Sequence, residues 1–446
     1  MKVFFVTLGC KVNQYESEAM QKLFEASGYV RADEISEADV VVVNTCTVTA
    51  VSSQKSRQMI RRAAGANQNS IVAVVGCYAQ SEPEVVAAID GVDVVVGTKD
   101  RTRIVELVEA AISMRNEELG IRNEQPLSVV GTVDEIRDFE ELPHAPQRTR
   151  AFLKIEDGCN NFCAYCIIPY VRGRVRSRSL ESIRDECLKL KAAGFKEIVL
   201  TGIHVGAYGR DLRCQVSGVS GQKISLVDAV KTVLDAANPL RLRLGSLEPV
   251  ELTDELIELI KTDERICNHV HLPLQSGSDE ILKAMHRPYT TKNFAELTAR
   301  LVDEIPEISI GTDLIVGFPG ETDENFAETL EFIQSQPFAK IHVFPYSARA
   351  GTVAATLPNQ IPSSTKKIRT NSALEISRDK SKIFVERLIG RTVEIIAETS
   401  TDGLVDGLTK NYVRVYLPDE NIPLGEVVKV RVEKIFHDGV WGDYVD

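Results

Sequence analysis

Six of the nine cysteines in this chain occupy positions that can support chemistry. Cys159, Cys163 and Cys166 form a CxxxCxxC run, CNNFCAYC, directly after the apolar stretch AFLKIEDG. Three thiolates on one turn can hold three irons of a cubane cluster and leave the fourth iron open to a small chelating ligand. A zinc site is the bland alternative, but structural zinc wants four ligands, usually from two CxxC-like arms, and no second arm is nearby. Buried core cysteines are the other alternative. Cys10, Cys46 and Cys77 are far apart in sequence, yet each follows an apolar run: VFFVTLG, VVVVNT and IVAVVG. The carboxyl ends of parallel strands share one edge, where such folds bind ligands, so topology alone would bring these three thiols together. Structural thiols at strand ends are the competing reading. Cys187, Cys214 and Cys267 match no motif.

The surrounding pattern supplies elements to position these residues. Over the first ~110 residues, short β-branched runs alternate with helical patterns at Gln14–Ser27, Val51–Ala64 and Pro83–Ile89, which predicts a parallel sheet covered on both faces. Residues 115–147 are polar and carry three prolines, as in an inter-domain connection. From Ala151 the alternation resumes with AFLKIEDGC, EIVLTGIHV, LRLRLGSL, HVHLPLQS, ISIGTDLIVGFP and KIHVFPYSA. Six such units should curl into a barrel or part of one, with chemistry at the carboxyl ends of the strands. Ser363–Leu388 has a helical pattern. The final stretch, with RTVEIIAET, YVRVYLP and VVKVRVEKIF, predicts a small antiparallel β-barrel.

At 446 residues the chain exceeds a single core. No apolar run approaches the ~18 residues of a membrane helix. The opening run Val3–Leu8 is shorter than the ~7–15 residues of a signal core, so export is not expected. Unexported thiols stay reduced, so clustered cysteines point to metal or redox chemistry in a cytoplasmic protein. A net charge of −12 argues against indiscriminate nucleic-acid binding, so any such contact must be local.

CNNFCAYC, with Tyr165 before the last cysteine, resembles the radical S-adenosylmethionine superfamily. TLGCKVNQYES, VVNTCTV and VVGCYAQ, followed by that motif and a terminal β-barrel, are similar to the methylthiotransferases along the whole chain. The resemblance implies an α/β parallel-sheet domain at 1–114, a linker at 115–147 and a (β/α)6 partial TIM-like barrel, the radical SAM domain, at 148–362. A connecting helix at 363–389 and an RNA-binding TRAM module at 390–446 complete it. It implies two 4Fe–4S clusters, one on Cys10, Cys46 and Cys77, the other on Cys159, Cys163 and Cys166, the latter binding S-adenosylmethionine. Thr201, Gly202, His271, Gln275 and Asp313 stand where the family contacts that cofactor. Reductive cleavage to a 5′-deoxyadenosyl radical, hydrogen abstraction and delivery of a methylthio group would follow. The expected partners are tRNA, an electron donor such as a flavodoxin or ferredoxin, and a source of sulfur or sulfide, with no membrane.

The family divides among threonylcarbamoylated adenosine in tRNA, prenylated adenosine in tRNA and an aspartate of a ribosomal protein. GCKVNQYE, with Lys11, and YVRGRVRSR, with Arg172, Arg174, Arg176 and Arg178, resemble the threonylcarbamoyl branch. Residues 147–178 hold seven Lys or Arg against two acidic residues, a net of +5. That suits phosphates or a carboxylate-bearing base, and a solvated basic loop is the alternative. From Lys380 to Asp446 nine basic and twelve acidic residues net −3, so RNA contacts there would come from one face, around Arg391, Lys410 and Arg414. A protein substrate, or a non-catalytic RNA-binding iron–sulfur protein, are the other readings.

Overall fold

The computed structural model describes residues 1–117, 125–143, 146, 148–212, 224–419 and 422–445, and it divides into two compact units. Cys214 lies outside the described residues. No described helix is long and apolar enough to cross a membrane.

The first unit comprises residues 1–147, 156–178 and 347–355. Its centre is an all-parallel sheet of β1 (Lys2–Thr7), β2 (Val30–Arg31), β3 (Val40–Thr45), β4 (Ile71–Gly76), β5 (Val94–Val96) and β6 (Leu127–Val129). The spatial order is β2-β1-β3-β4-β5-β6. Every residue of β3 and β4 is buried. Successive side chains leave a strand on opposite faces. Val40, Val42, Ile71, Ala73 and Val75 accordingly enter one core, and Val41, Val43, Val72 and Val74 the other. That is why residues 40–43 and 71–75 are all apolar, polar residues entering β3 only at its end with Asn44 and Thr45. β6 falls inside the polar stretch expected to be a plain connection: Leu127, Ser128 and Val129 pair in register with Val94, Val95 and Val96.

The second unit comprises residues 148–155, 179–346 and 356–446. The parallel strands Ala151–Lys154, Glu197–Thr201 and Arg241–Arg243 form one sheet, and His269–His271, Ser309–Val316 and Lys340–Pro345 another. Single parallel bridges at Leu242–Ile266 and Ser246–His271 link the two, giving the open six-stranded barrel anticipated from the alternation. Five antiparallel-rich strands between Thr392 and Val445 close the terminal barrel around Ile395, Ala397, Val405, Val415 and Val430. Two arginines in LRLRLGSL join the barrels. Arg241 donates to the Leu408 and Glu394 carbonyls, each at 2.9 Å, and Arg243 to those of Lys410 and Thr409 at 2.9 and 3.1 Å.

Candidate functional site

The first unit contains both cysteine sets. Cys10 caps the helix Lys11–Ala26, Cys46 follows β3, and Cys77 opens the helix Cys77–Ser81 straight after β4. Buried amides tie these strand ends together. Asn13 Nδ2 donates to the Leu8 and Thr45 carbonyls at 2.8 and 2.9 Å, and Asn44 Nδ2 returns a bond to the Asn13 carbonyl at 3.0 Å. Ser56 brackets Cys46, accepting from its N–H at 3.2 Å and donating to its carbonyl at 3.0 Å. Gly76 takes φ of +96°, and a Cβ there would stand 2.5 Å from Asn44 Oδ1, so the turn into Cys77 needs glycine.

The contiguous set is held by a tight loop. Gly158, at φ of +88°, lets the chain pass so close to the Arg174 carbonyl that a Cβ would stand 2.0 Å from it. The Cys159 N–H donates to the Gly173 carbonyl at 3.0 Å, and that of Cys166 to Cys163 at 2.9 Å. The Asn161 N–H points at Cys159 Sγ, 3.5 Å away. Phe162, with φ of +46°, is exposed and packs edge-on against Tyr170 at 5.7 Å.

Burial pushes the thiols of Cys77 and Cys159 up to about 12. A bound metal cation would offset that lost solvation and favour the thiolates. Among the described residues no three His, Cys, Asp or Glu side chains close around a single ion. A cubane meets each cysteine at a separate iron and can leave its fourth iron open, whereas structural zinc wants four ligands. Both trios fit such a group in donor type.

Sequence reasoning missed what lies beneath Cys77. Arg172 is completely buried and donates from Nε to Cys77 Sγ at 3.2 Å. Its other nitrogens reach Glu16 at 2.9 and 3.1 Å, Asn13 Oδ1 at 2.9 Å, and Asp157 at 3.0 Å. Arg101 adds contacts to Glu16 at 2.5 Å and Glu140 at 2.8 Å, and Arg176 lies 3.6 Å from Asp157. Three guanidinium groups thus meet three carboxylates, a balance that permits burial of the three cations with Glu16 and Asp157, while Glu140 stays partly exposed. The only sequence signal was the spacing of Asn13 and Glu16, three apart on one helix and placed to share a face.

Three of the four loop arginines expected to meet substrate have internal partners. Arg172 and Arg176 are spent inside the unit, and Arg178 is buried beside Glu141 at 3.1 Å. Charge counting along 147–178 suggested a basic surface, but Arg172 and Arg176 turn onto Asp157 within the same stretch, and Arg172 and Arg178 also meet Glu16 and Glu141 outside it. Arg174 is exposed and Lys11 half-buried. In the second unit, Thr201 ends its strand, with Gly202 next. His271 Nε2 lies 3.1 Å from Asp313, and the Gln275 N–H donates to the Asp313 carbonyl at 2.8 Å. The expected RNA contacts of the terminal barrel are also internally engaged: Arg391 pairs with Glu307, Arg414 with Asp406, and Lys410 donates to the Glu264 carbonyl at 3.0 Å.

Residues 2–97 match the model described as uncharacterized protein family UPF0004, and residues 153–333 match the radical SAM superfamily. The threonylcarbamoyladenosine tRNA methylthiotransferase MtaB of Bacillus subtilis is 41% identical, across 99% of this chain and 96% of that protein. The tRNA-2-methylthio-N(6)-dimethylallyladenosine synthase of Moorella thermoacetica is 36% identical, across 99% and 98%. Among solved structures, the radical S-adenosylmethionine methyltransferase TsrM of Kitasatospora setae superposes with a TM-score of 0.54 at 16% identity, covering 91% of this chain and 80% of that one, a likeness of fold. An end-to-end match at this identity, with the radical SAM model lying over the barrel, establishes that the chain belongs to the radical SAM tRNA methylthiotransferases.

Proposed function

We propose that this enzyme transfers a methylthio group to carbon-2 of N6-threonylcarbamoyladenosine at position 37 of tRNA, beside the anticodon. The observation carrying the choice is the 41% identity, over nearly the whole chain, to a protein named for that substrate. Relatives from Aquifex aeolicus and Thermotoga maritima bear the same name. The prenylated base remains the second reading, because the Moorella relative is named for it at 36% identity.

Radical SAM membership implies a 4Fe–4S cluster and S-adenosylmethionine. In the proposed arrangement Cys159, Cys163 and Cys166 hold that cluster, and Cys10, Cys46 and Cys77 hold a second. Bound there, the clusters and S-adenosylmethionine would supply the reducing electron, the radical source and the sulfur. The protein's own part is to fix the ligands. Asn13 and Asn44 lock the strand ends that carry Cys10 and Cys46, and Arg172 aims a donor at Cys77. Thr201, Gly202, His271, Gln275 and Asp313, near the carboxyl ends of barrel strands, are the proposed S-adenosylmethionine contacts. The terminal barrel is the proposed TRAM module.

A threonylcarbamoyl group carries a carboxylate, whose burial without a cation would cost several kcal/mol. Lys11 and the exposed Arg174 are the remaining candidates from the original set. Mass spectrometry of tRNA nucleosides from cells lacking and regaining this protein tests the substrate. Restored 2-methylthio-N6-threonylcarbamoyladenosine is expected, and restoration of the prenylated product alone would select the second reading.

A further inference from the structure

The second unit carries a groove of about 620 Å3 for which the sequence provided no hint. One wall is the strand Lys340–Pro345, the last of its sheet. Another is the helix Ser363–Glu386, and the third is the turn at His437–Gly439 in the terminal barrel. Along the strand, Lys340, His342 and Phe344 alternate with Ile341 and Val343 and so share one face. His342 is the register partner of Asp313, and its ring lies 5.7 Å from that of His271. Ile341 and Val343 line the groove as well, and through His342 it adjoins the His271–Asp313 pair.

The helix approaches the strand through small hydroxyls. Ser377 exchanges bonds with the Ile341 backbone at 3.2 and 2.8 Å, and Ser381 donates to the Ala339 carbonyl at 2.9 Å. The residues following these two serines, Arg378 and Lys382, are exposed and line the groove. Among the described residues neither they nor Lys340 take part in an ion pair. The one acidic residue in the lining, Asp438, accepts from the Tyr416 hydroxyl at 2.6 Å and lies 3.8 Å from Arg414. Phe344 is 44% exposed. Uncommitted cations beside an exposed aromatic ring form the pattern that binds unpaired nucleic acid, with phosphates on the cations and a base on the ring.

We infer that Lys340, His342, Phe344, Arg378, Lys382 and His437 form a docking groove for an unpaired segment of the RNA substrate, leading it toward the His271–Asp313 face. The inference rests on the proposed tRNA function and locates the contact outside the three residues that composition suggested. It also fits a chain of net charge −12, in which RNA attraction must be local.

The test is binding of an in vitro transcribed tRNA to the full-length protein across a salt series, followed by fluorescence anisotropy. Deleting the terminal barrel would be a poor test, because Arg241 and Arg243 would lose buried carbonyl partners. Instead, the triple variant Lys340→Ala, Arg378→Ala, Lys382→Ala should weaken binding. It should also flatten the slope of log affinity against log salt by about 2–3, near 0.7–0.9 per lost phosphate contact. Phe344→Leu should weaken binding several-fold and leave the slope unchanged, as expected for lost stacking. Arg391→Ala with Lys410→Ala should bind as the wild type does, and circular dichroism confirms that each variant is folded. A folded triple variant with wild-type affinity and slope overturns the groove, and competition by polyglutamate as strong as by RNA reassigns it to an acidic protein. Failure of the wild type to bind any tRNA would instead overturn the function on which the groove rests.

Discussion

The two cysteine trios of the first unit are assembled by opposite means. Cys159, Cys163 and Cys166 share one loop, so their proximity is a local property secured by Gly158 and by bonds within residues 158–176. Cys10, Cys46 and Cys77 meet only because three parallel strands end at one sheet edge, with Asn13, Asn44 and Ser56 tying those ends together. A locally folded loop can preform its ligands when the sheet around it loosens. A dispersed trio has no such independence, since each ligand position is inherited from long-range packing. Arg172 links the two, because one guanidinium touches Cys77 Sγ and the Asp157 carboxylate two residues before Cys159.

The sharpest way to break this comparison is to remove each trio. Anaerobically reconstituted protein should hold about eight irons, four per cluster. Alanine at Cys159, Cys163 and Cys166 should halve the iron and abolish 5′-deoxyadenosine formation. Alanine at Cys10, Cys46 and Cys77 should also halve the iron but leave S-adenosylmethionine cleavage in place. Loss of cleavage in both variants would mean that the trios are not separable.

Arg172→Met addresses the link between them. It leaves Glu16 and Asp157 buried without their shared cation, and unfolding should become easier by about 3–5 kcal/mol. Chemical denaturation of the iron-free protein measures this without involving either cluster. An unchanged midpoint would show that Arg101 and Arg176 suffice to balance the carboxylates.

Smaller effects distinguish the two supports. Gly158→Ala and Gly76→Ala each force a side chain into a positive-φ turn, at about 1–3 kcal/mol. Gly158 should be the more damaging, because its new Cβ would stand 2.0 Å from the Arg174 carbonyl, whereas at Gly76 the nearest backbone atom, the Thr45 carbonyl oxygen, would be 2.8 Å away. Gly76→Ala should selectively impair iron loading at Cys10, Cys46 and Cys77, and Gly158→Ala at the other trio. Spectroscopy of the separately loaded trio variants reads the difference. The least effect is expected from Thr49→Ala, which removes the cap of the helix behind Cys46. Its side chain accepts from the Ser52 N–H at 3.0 Å, so about 1 kcal/mol should be lost in thermal unfolding.

The sequence by itself determined most of the elements, β6 excepted, and pointed to the cysteines as the candidate chemistry. Apolar runs such as VVVV at 40–43 announce doubly covered parallel strands, because a strand buried on both faces carries apolar residues at successive positions. The cysteine sets were legible for a related reason: spacing within a loop, and position after a strand, are local patterns. The fate of the charges was not. Seven cations in 147–178 suggested a basic surface, but whether a guanidinium faces water or a buried carboxylate depends on partners far away, and Arg172 and Glu16 are separated by 156 residues. Arg391, Lys410 and Arg414 also have partners distant in sequence or across a strand pair, Arg391 with Glu307 as an exposed pair, while Lys340, Arg378 and Lys382 come together only because folding puts a strand, a helix and a turn around one groove. Hydrophobic periodicity is written residue by residue along a chain. Charge pairing is settled by three-dimensional neighbours, because the cost of burying an ion is offset only by whatever the tertiary structure places beside it.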